Sequence, residues 1–307
     1  MNYPLKPLLL AASALLLATA CTNEDNQPDI VDITRPIDLR LSPAAPVTAD
    51  TKVAIDGTDF ASADEIGLYL AWTDGATAQV PITSSIAQTT WQGNAFSGES
   101  LYWQNTADHH TLYAYYPYAD GVTGYQVPVT LPAMQTATDE ASRNILYGTF
   151  SGKAQSSVTI EMGHCMSVVN ITLEKGAGYG ATDPLPDITD VVLSGSYHTS
   201  GTLDLATGEV TADAAGTTSP ITTYLNGTTY RAILLPGETL GNIVITTEDG
   251  TTYTYRPTET VTTKANTQYN FTLQLNKAEV TLGDLDILQW GTTEATGGAN
   301  MNIPAGN

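Results

Sequence analysis

The stretch Ile-Asp-Leu-Arg-Leu-Ser at residues 37–42 alternates apolar and polar side chains, and Pro43 and Pro46 close it. Successive side chains of a β-strand point to opposite faces, so this pattern is typical of a strand with one buried and one exposed face. Proline has no backbone N–H for a sheet ladder, which ends the run. The stretch therefore predicts a β-strand near the start of the folded part of the chain.

Similar short runs recur along the chain, separated by clusters of Gly, Asp, Asn and Pro. Helical 3.6-residue periodicity is hard to find between them. Short strands without intervening helices favour β-sandwiches over a βαβ fold. The runs are residues 66–72, 112–116, 127–131, 158–162, 168–173, 188–193, 201–205, 230–235, 243–247, 251–255, 269–275 and 280–290.

The length of 307 residues suits two domains, at about 150 residues each. The composition changes to Ser-Gly-Lys-Ala-Gln-Ser-Ser just after Phe150, which makes this stretch the best candidate for a junction. We therefore expect an all-β protein with an N-terminal β-sandwich domain at 37–155 and a C-terminal one at 156–307.

The charge of the chain is strongly one-sided. Eleven Lys and Arg oppose 32 Asp and Glu, which gives a net charge of −21, although charged residues make up only 14% of the chain. Nucleic-acid binding is excluded, because neutralising phosphates needs clustered Lys and Arg. The same deficit disfavours adsorption to an anionic bilayer through a basic patch.

The first twenty residues are typical of an export signal. Lys6 precedes an apolar run at 8–20, which is too short for a membrane span of about 20 residues. Leu-Ala-Thr-Ala before Cys21 resembles a bacterial lipobox, which predicts cleavage at 20/21 and lipid attachment to Cys21. Ordinary secretory cleavage with a free Cys21 is the alternative. The polar residues 21–36 that follow are expected to be a flexible acidic tether.

Cys165 is then the only remaining thiol, so the mature chain cannot form an internal disulfide. His164 precedes it, which is compatible with a nucleophilic Cys–His pair. Neighbouring residues in a strand point to opposite faces, however, and this favours a buried structural cysteine.

Local motifs for catalysis or metal binding are absent from the sequence. His-Glu-x-x-His, Cys-x-x-Cys, Gly-x-Ser-x-Gly and a Walker loop are all missing, and Asp56-Gly57-Thr58-Asp59 lacks the late Glu of a calcium loop. Paired carboxylates are a spatial arrangement, so an acidic surface hydrolase stays open as a minor alternative. We expect a non-enzymatic protein with no metal and no cofactor.

Aromatic residues concentrate between residues 91 and 118. Exposed on one sheet face, they could stack on sugar rings; alternatively, they fill a sandwich core, since residues two apart share a face. The second interpretation is favoured for Tyr113 and Tyr115. The candidates for contact with a glycan are Trp91, Trp103, Tyr116 and Tyr118.

A series of motifs after the lipobox resembles the fimbrillin family of Bacteroidetes, in its fimbrillin-like type, which comprises pilin lipoproteins. Their order and spacing along the mature chain carry the resemblance. Asn144, Cys165 and Val168 depart from the residues usual in the family at those places. The motifs are Asp-Glu-Ile-Gly-Leu-Tyr at 64–69, Leu-Tyr-Ala-Tyr-Tyr-Pro-Tyr at 112–118, Asn-Ile-Leu-Tyr-Gly at 144–148, His-Cys-Met-Ser-Val-Val at 164–169, Asn-Thr-Gln-Tyr-Asn-Phe-Thr-Leu at 266–273 and Ile-Leu-Gln-Trp at 287–290.

This resemblance implies two tandem transthyretin-like Greek-key sandwiches in a lipid-anchored precursor on the outer membrane. A surface protease removes an N-terminal strand, and a strand of the next subunit fills the groove, building a fimbrium by donor-strand exchange. The partners it implies are other pilin subunits and, through the lipid anchor, the membrane.

Particular residues follow from the resemblance. The removable strand is expected within residues 37–52, with cleavage at Lys52 or Arg40. The donor strand is expected near residues 281–303. Its anchors would be Leu285, Ile287 and Trp290.

The resulting hypothesis is a fimbrial subunit, or an accessory or tip pilin, that mediates adhesion. The alternative from another class is a surface lipoprotein that binds glycans through the aromatic residues between 91 and 118.

Overall fold

Alternating side chains form β-strands along most of the chain that the computed structural model describes, namely residues 31–43, 65–73, 80–81, 87–91, 96–98, 100–120, 122 and 124–290. The alternating run at 37–42 is found as the strand Asp38–Pro43. A 3-10 turn, Ala137–Asp139, leads into a one-turn helix, α1, at Glu140–Arg143. Within the described residues, no helix is long and apolar enough to cross a membrane.

Among the described residues up to Lys175 there are ten strands: β1 Asp38–Pro43, β2 Glu65–Thr73, β3 Val80–Pro81, β4 Ala87–Trp91, β5 Phe96–Gly98, β6 His109–Tyr116, β7 Gln126–Thr130, β8 Leu146–Gly152, β9 Ser157–His164 and β10 Ser167–Lys175. Ten more follow: β11 Ile188–His198, β12 Ser200–Asp204, β13 Glu209–Ala212, β14 Thr218–Thr222, β15 Tyr224–Asn226, β16 Thr229–Leu234, β17 Asn242–Thr247, β18 Thr252–Tyr255, β19 Thr267–Leu275 and β20 Val280–Gln289.

The strands form four sheets. An eight-stranded sheet has the order β1-β9-β8-β6-β2-β4-β5, with β3 paired to β2. A five-stranded sheet has the order β15-β16-β10-β19-β20, and a four-stranded sheet has the order β14-β11-β17-β18. The fourth sheet, β13-β12-β7, has three strands.

The five-stranded and four-stranded sheets pack on each other as a sandwich. Buried side chains of β10 and β19, such as Ile171 and Phe271, meet side chains of β11 and β17, such as Leu193 and Ile245, in one apolar cluster. The two sheets, one mixed and one antiparallel, thus bury their facing sides in a shared core.

A second sandwich-like packing lies in the first half of the chain. Strands β8 and β9 pair only at Leu146↔His164 and Tyr147↔Gly163. Along the rest of its length, β9 lies over one face of the other strands of the sheet, with its inward side chains against β2 and β6. The crossing is close at Gly148, where a Cβ atom would lie 2.5 Å from the carbonyl oxygen of Glu161. The absence of a side chain at this position therefore permits the two layers to touch.

The apolar cluster under this crossing is called here the β9 cluster. Alternate residues of β9 are buried in it, and Leu39 and Leu41 of β1 pack at its margin. Its fully buried members are Ile66, Leu68, Leu70, Trp103, Leu112, Ala114, Tyr116, Leu146, Val158, Ile160 and Met162.

The three-stranded sheet links the two halves of the chain, because β7 pairs antiparallel with β12 from Gln126↔Asp204 to Thr130↔Ser200. A third apolar cluster joins residues from both halves, and the described residues from Val31 onward belong to one compact unit. The all-β class and the sandwich-like packing of sheets are confirmed. The division into domains at 155/156 stays a prediction.

Candidate functional site

The most distinctive surface of the fold is the place where β1 lies on β9. The two strands pair in parallel, from Asp38↔Ser157 to Pro43↔Met162. Among the described strands, β1 is the outermost of its sheet and pairs with β9 alone. A backbone hydrogen bond of 2.9 Å, from the N–H of Ile37 to the carbonyl of Leu101, fixes the start of the strand.

The side chains of β1 divide according to their alternation. Leu39 and Leu41 are half-buried against the β9 cluster, whereas Asp38 and Arg40 are exposed and form an ion pair of 3.5 Å. An exposed pair of this kind contributes less than about 1 kcal/mol. Strand β1 is therefore stabilised mainly by its backbone hydrogen bonds to β9 and by the packing of its two half-buried leucines.

Removal of β1 would leave unpaired backbone groups and uncovered apolar side chains at the same place. The backbone N–H and C=O groups on the outer side of β9 would lose their partners, and the apolar side chains of the β9 cluster would lose part of their cover. A strand with apolar residues at every second position can both pair with the β9 backbone and cover the cluster.

The two cleavage candidates differ in what the structure says of them. Arg40 has an exposed side chain, but its backbone is paired with Thr159 inside the ladder. A protease binds its substrate in an extended form outside a sheet, so cleavage at Arg40 requires β1 to detach first. Lys52 and the predicted lipidation site Cys21 lie outside the described residues.

The three expected donor anchors lie in or directly after β20. This strand pairs antiparallel with β19 and is the last strand of the five-stranded sheet. Leu285 and Trp290 are buried, and Ile287 is half-buried against the core of the C-terminal sandwich. In this structure all three therefore pack within their own chain, and residues 291–303 of the expected donor lie outside the described part.

Trp290 connects the end of β20 to the end of β9. Its ring stacks on His164, the last residue of β9, with ring centroids 4.3 Å apart and planes 6° from parallel. The guanidinium of Arg231 lies 5.8 Å from the centre of the indole. The backbone N–H of Trp290 donates to the carbonyl of Asn266 at 2.9 Å. The last described residue of the chain is thus held beside β9.

A buried polar cluster surrounds this contact. Glu140 of α1 forms an ion pair of 3.1 Å with Arg231 of β16 and accepts a hydrogen bond from the hydroxyl of Tyr224. Arg143 lies over the Tyr224 ring at 5.5 Å and donates to the carbonyl of Thr136 at 2.6 Å. Sequence reasoning missed this cluster, because about ninety residues separate its two halves and neither half has a motif.

His164 and Cys165 do not form a nucleophilic pair. Nδ1 of His164 donates to Oδ1 of Asn144 at 2.7 Å, and burial, assisted by the charge of Arg231, lowers the pKa of His164 to about 3. Burial raises the pKa of the Cys165 thiol to about 12, so it stays protonated at neutral pH. These environments support the interpretation of Cys165 as a structural residue. Among the described residues, no three His, Cys, Asp or Glu side chains are grouped so as to hold a metal ion.

The glycan-contact prediction needs correction at two of its residues. Trp103 and Tyr116 are only 4% and 3% exposed, and Nε1 of Trp103 donates to the carbonyl of Gln155 at 2.8 Å. Their rings are packed inside the β9 cluster and therefore offer no free face to a sugar. Tyr118 is half-buried against the neighbouring cluster, and Trp91 lies in β4.

Several solved structures have a similar fold. A candidate cell adhesion protein from Bacteroides uniformis aligns with a TM-score of 0.65 at 18% identity, over 83% of this chain and 99% of its own. A fimbrial protein from Bacteroides vulgatus gives 0.54 at 14% identity, over 83% and 99% of the two chains. The tip fimbrial protein Mfa3 from Porphyromonas gingivalis, with a C-terminal truncation, gives 0.50 at 7% identity, over 83% and 100%.

At identities this low, the likeness to solved structures concerns the fold alone. A comparison with curated proteins gave no match. The sequence of residues 51–290, well over half of the chain, matches the fimbrillin-like family. This matched range includes all the described strands from β2 to β20, and the motifs noted above lie within it. The chain therefore belongs to the fimbrillin-like family.

Proposed function

We propose that this protein is a non-enzymatic fimbrial subunit, of the shaft or an accessory or tip position, that assembles by donor-strand exchange and mediates adhesion. The observation that carries the proposal is β1, which covers an apolar cluster and, among the described strands, lies at the edge of its sheet with β9 as its partner. Membership of the fimbrillin-like family supports it, as does the fold shared with fimbrial and cell adhesion proteins.

The fold detail in this proposal is a pair of transthyretin-like Greek-key domains, at 37–155 and 156–307. The crossing of β9 over the eight-stranded sheet would provide the first sandwich, and the five-stranded and four-stranded sheets the second. The contact of β7 with β12 would then join the two domains.

Export follows the N-terminal sequence in this proposal. The signal at 1–20 directs the chain across the membrane, Cys21 receives acyl chains, and residues 21–36 tether the fold to the outer membrane. Several acyl chains anchor a protein stably where one does not, at about 0.8 kcal/mol per buried methylene. The subunit would therefore wait at the cell surface until a protease cuts the chain, either at Lys52 or, once β1 has detached from β9, at Arg40.

The donated strand comes from residues 281–303 in this proposal. Donation of the anchors Leu285, Ile287 and Trp290 would require β20 to leave β19, at the cost of its ladder and of the Trp290 packing. The stretch Ala-Asn-Met-Asn-Ile at 299–303 has apolar residues at every second position, as β1 does, and can be donated without that loss.

Limited proteolysis of the exported chain tests the proposal. Residues 21–307 carrying Cys21→Ser, which removes the lipid site, are treated with trypsin, and mass spectrometry locates the cut. We expect a ladder of oligomers on SDS gels without boiling, because intermolecular strand pairing completes the β9 cluster and resists detergent.

The matched control is the same chain with Arg40→Gln and Lys52→Gln, which should stay monomeric under the same treatment. A chain that is cut at Arg40 or Lys52, loses β1 and stays monomeric at every concentration would refute assembly by strand exchange.

A further inference from the structure

Building on the proposed function, we propose that residues 299–303 fill the groove of their own chain once β1 has left, running antiparallel to β9. The subunit would thereby close its own acceptor site. The proposal concerns the same surface as strand exchange but assigns a different first occupant: a segment of the same chain in place of a segment of the next subunit.

The segment starts close to the end of β9. Trp290, the last described residue, stacks on His164 at a centroid distance of 4.3 Å. His164 is the final residue of β9, and β1 covers β9 only as far as Met162, two residues earlier. Residues 291–303 therefore start beside one end of the groove.

The linker at residues 291–298 is long enough to bring residue 299 to the groove. Residues 291–298 are eight residues, which span at most about 26 Å when extended at about 3.3 Å per residue. The groove begins two residues before His164, which is about 7 Å along a strand. The linker is long enough to turn back and bring residue 299 beside Met162. A segment entering from this end must run against the direction of β9, so the pairing is antiparallel.

The side chains of residues 299–303 alternate as those of β1 do. Residues 299–303 read Ala-Asn-Met-Asn-Ile and are followed by Pro304, as residues 37–42 read Ile-Asp-Leu-Arg-Leu-Ser and are followed by Pro43. The buried residues of β9 also alternate, at Val158, Ile160 and Met162. An antiparallel register that puts Ala299 beside Met162 puts Met301 beside Ile160 and Ile303 beside Val158.

Self-filling would control when subunits join. A tethered segment faces its own groove at an effective concentration in the millimolar range, well above that of a second subunit in dilute solution. Assembly would then be slow until subunits are concentrated at a growing fimbrium. The smaller Ala299 and the loss of two leucines would leave this closure weaker than β1, and therefore displaceable.

Engineered cysteine pairs test the inference in the soluble chain, 21–307 with Cys21→Ser. Glu161→Cys is combined with Asn300→Cys, because both residues lie on the polar sides of the proposed pair and face each other in its register. Mild oxidation follows limited trypsin treatment, and peptide mass spectrometry detects the disulfide. We expect a disulfide within one chain after cleavage and at least tenfold less of it before cleavage, while β1 occupies the groove.

Two controls separate specific pairing from random collision. Glu209→Cys, an exposed position on β13, replaces Glu161→Cys and should give at least fivefold less disulfide. A mixture of tagged and untagged chains of different length distinguishes a disulfide within one chain from one between two chains. Thr159→Cys with Asn302→Cys checks the register from a second position.

The possible outcomes separate self-filling from strand exchange. Disulfides only between chains would overturn self-filling and leave strand exchange standing. Oligomers without any disulfide above the Glu209 control would likewise overturn self-filling alone. A cleaved chain that loses β1 and shows neither disulfide nor oligomers would overturn both this inference and the proposed function.

Discussion

His164 shows how much one residue contributes at the meeting point of two strands. Its ring stacks on Trp290 on one side, and its Nδ1 donates to Asn144. It is 7% exposed, and Arg231 lies close enough to oppose a second positive charge. The residue therefore fits its place only as a neutral imidazole.

A pH dependence of stability follows from this environment. The pKa of His164 is about 3 in the folded state and about 6.5 in the unfolded state, so below pH 6.5 the unfolded state binds the additional proton. The contribution to stability is present above pH 6.5 and is progressively lost as the pH falls towards 3. Between pH 7 and pH 4.5, the midpoint of thermal unfolding should fall less in His164→Phe than in the wild type.

His109→Gln serves as the control for the loss of a histidine elsewhere in the fold, because His109 is exposed and lies on β6. Equal pH dependence in His164→Phe and the wild type would show that His164 does not titrate in this way.

At the scale of elements, the crossing of β9 over β8 determines where the groove lies. The two strands pair at one end only, and β9 then runs across the sheet with Val158, Ile160 and Met162 facing inward. From Ser157 to Met162, β9 pairs with β1. This crossing requires the close approach of the two strands at Gly148, where there is no side chain.

Substitution of Gly148 by Ala should therefore destabilise the fold. The new Cβ atom would meet the backbone oxygen of Glu161 and the side chain of Ile160 at 2.5 Å, so β9 would have to shift. Overpacking of this kind costs about 1–3 kcal/mol. Chemical denaturation measures the change in the free energy of unfolding.

Gly163→Ala is the matched control in the same pair of strands, because a Cβ atom at Gly163 would have no neighbour within 4 Å. It should change the free energy of unfolding by less than about 0.5 kcal/mol. If Gly148→Ala were as well tolerated as Gly163→Ala, the close contact of β8 with β9 would not exist in solution.

For the whole molecule, the dominant property is its charge. Without residues 1–20 the chain loses Lys6, and the net charge becomes 10 − 32 = −22. Subunits of the same sign repel one another, and net charge of this size favours solubility over association. In the proposed assembly, the attraction between subunits would therefore have to come from strand pairing and from completion of the β9 cluster.

Salt should accordingly accelerate assembly. The Debye length falls from about 30 Å at 0.01 M to about 3 Å at 1 M ionic strength, which screens the repulsion between approaching subunits. Light scattering of the trypsin-treated chain, after removal of the protease, should show faster oligomer growth with each increase in sodium chloride.

Thermal unfolding at the same salt concentrations provides the control, since a change in monomer stability would also alter the rate. Growth that slows as salt increases, at constant stability, would show that attraction between charges, rather than strand pairing, drives association.

Local sequence patterns anticipated much of the fold. The alternation at 37–42 predicted β1 almost to the residue, and the runs at 66–72 and 112–116 lie within β2 and β6. Such patterns are readable because the orientation of a side chain in a strand depends only on its immediate neighbours. The order and spacing of the motifs were also sufficient to indicate the fimbrillin-like family.

Pairing partners and burial were decided by the tertiary structure. No local pattern tells that β1 lies parallel to β9, that β7 reaches β12, or that Trp103 fills a core. The contact of Trp290 with His164 joins residues 126 positions apart, and the ion pair of Glu140 with Arg231 joins residues 91 apart. These contacts form because distant apolar faces must cover one another and buried charges must find partners, and both conditions depend on the packing of the whole chain.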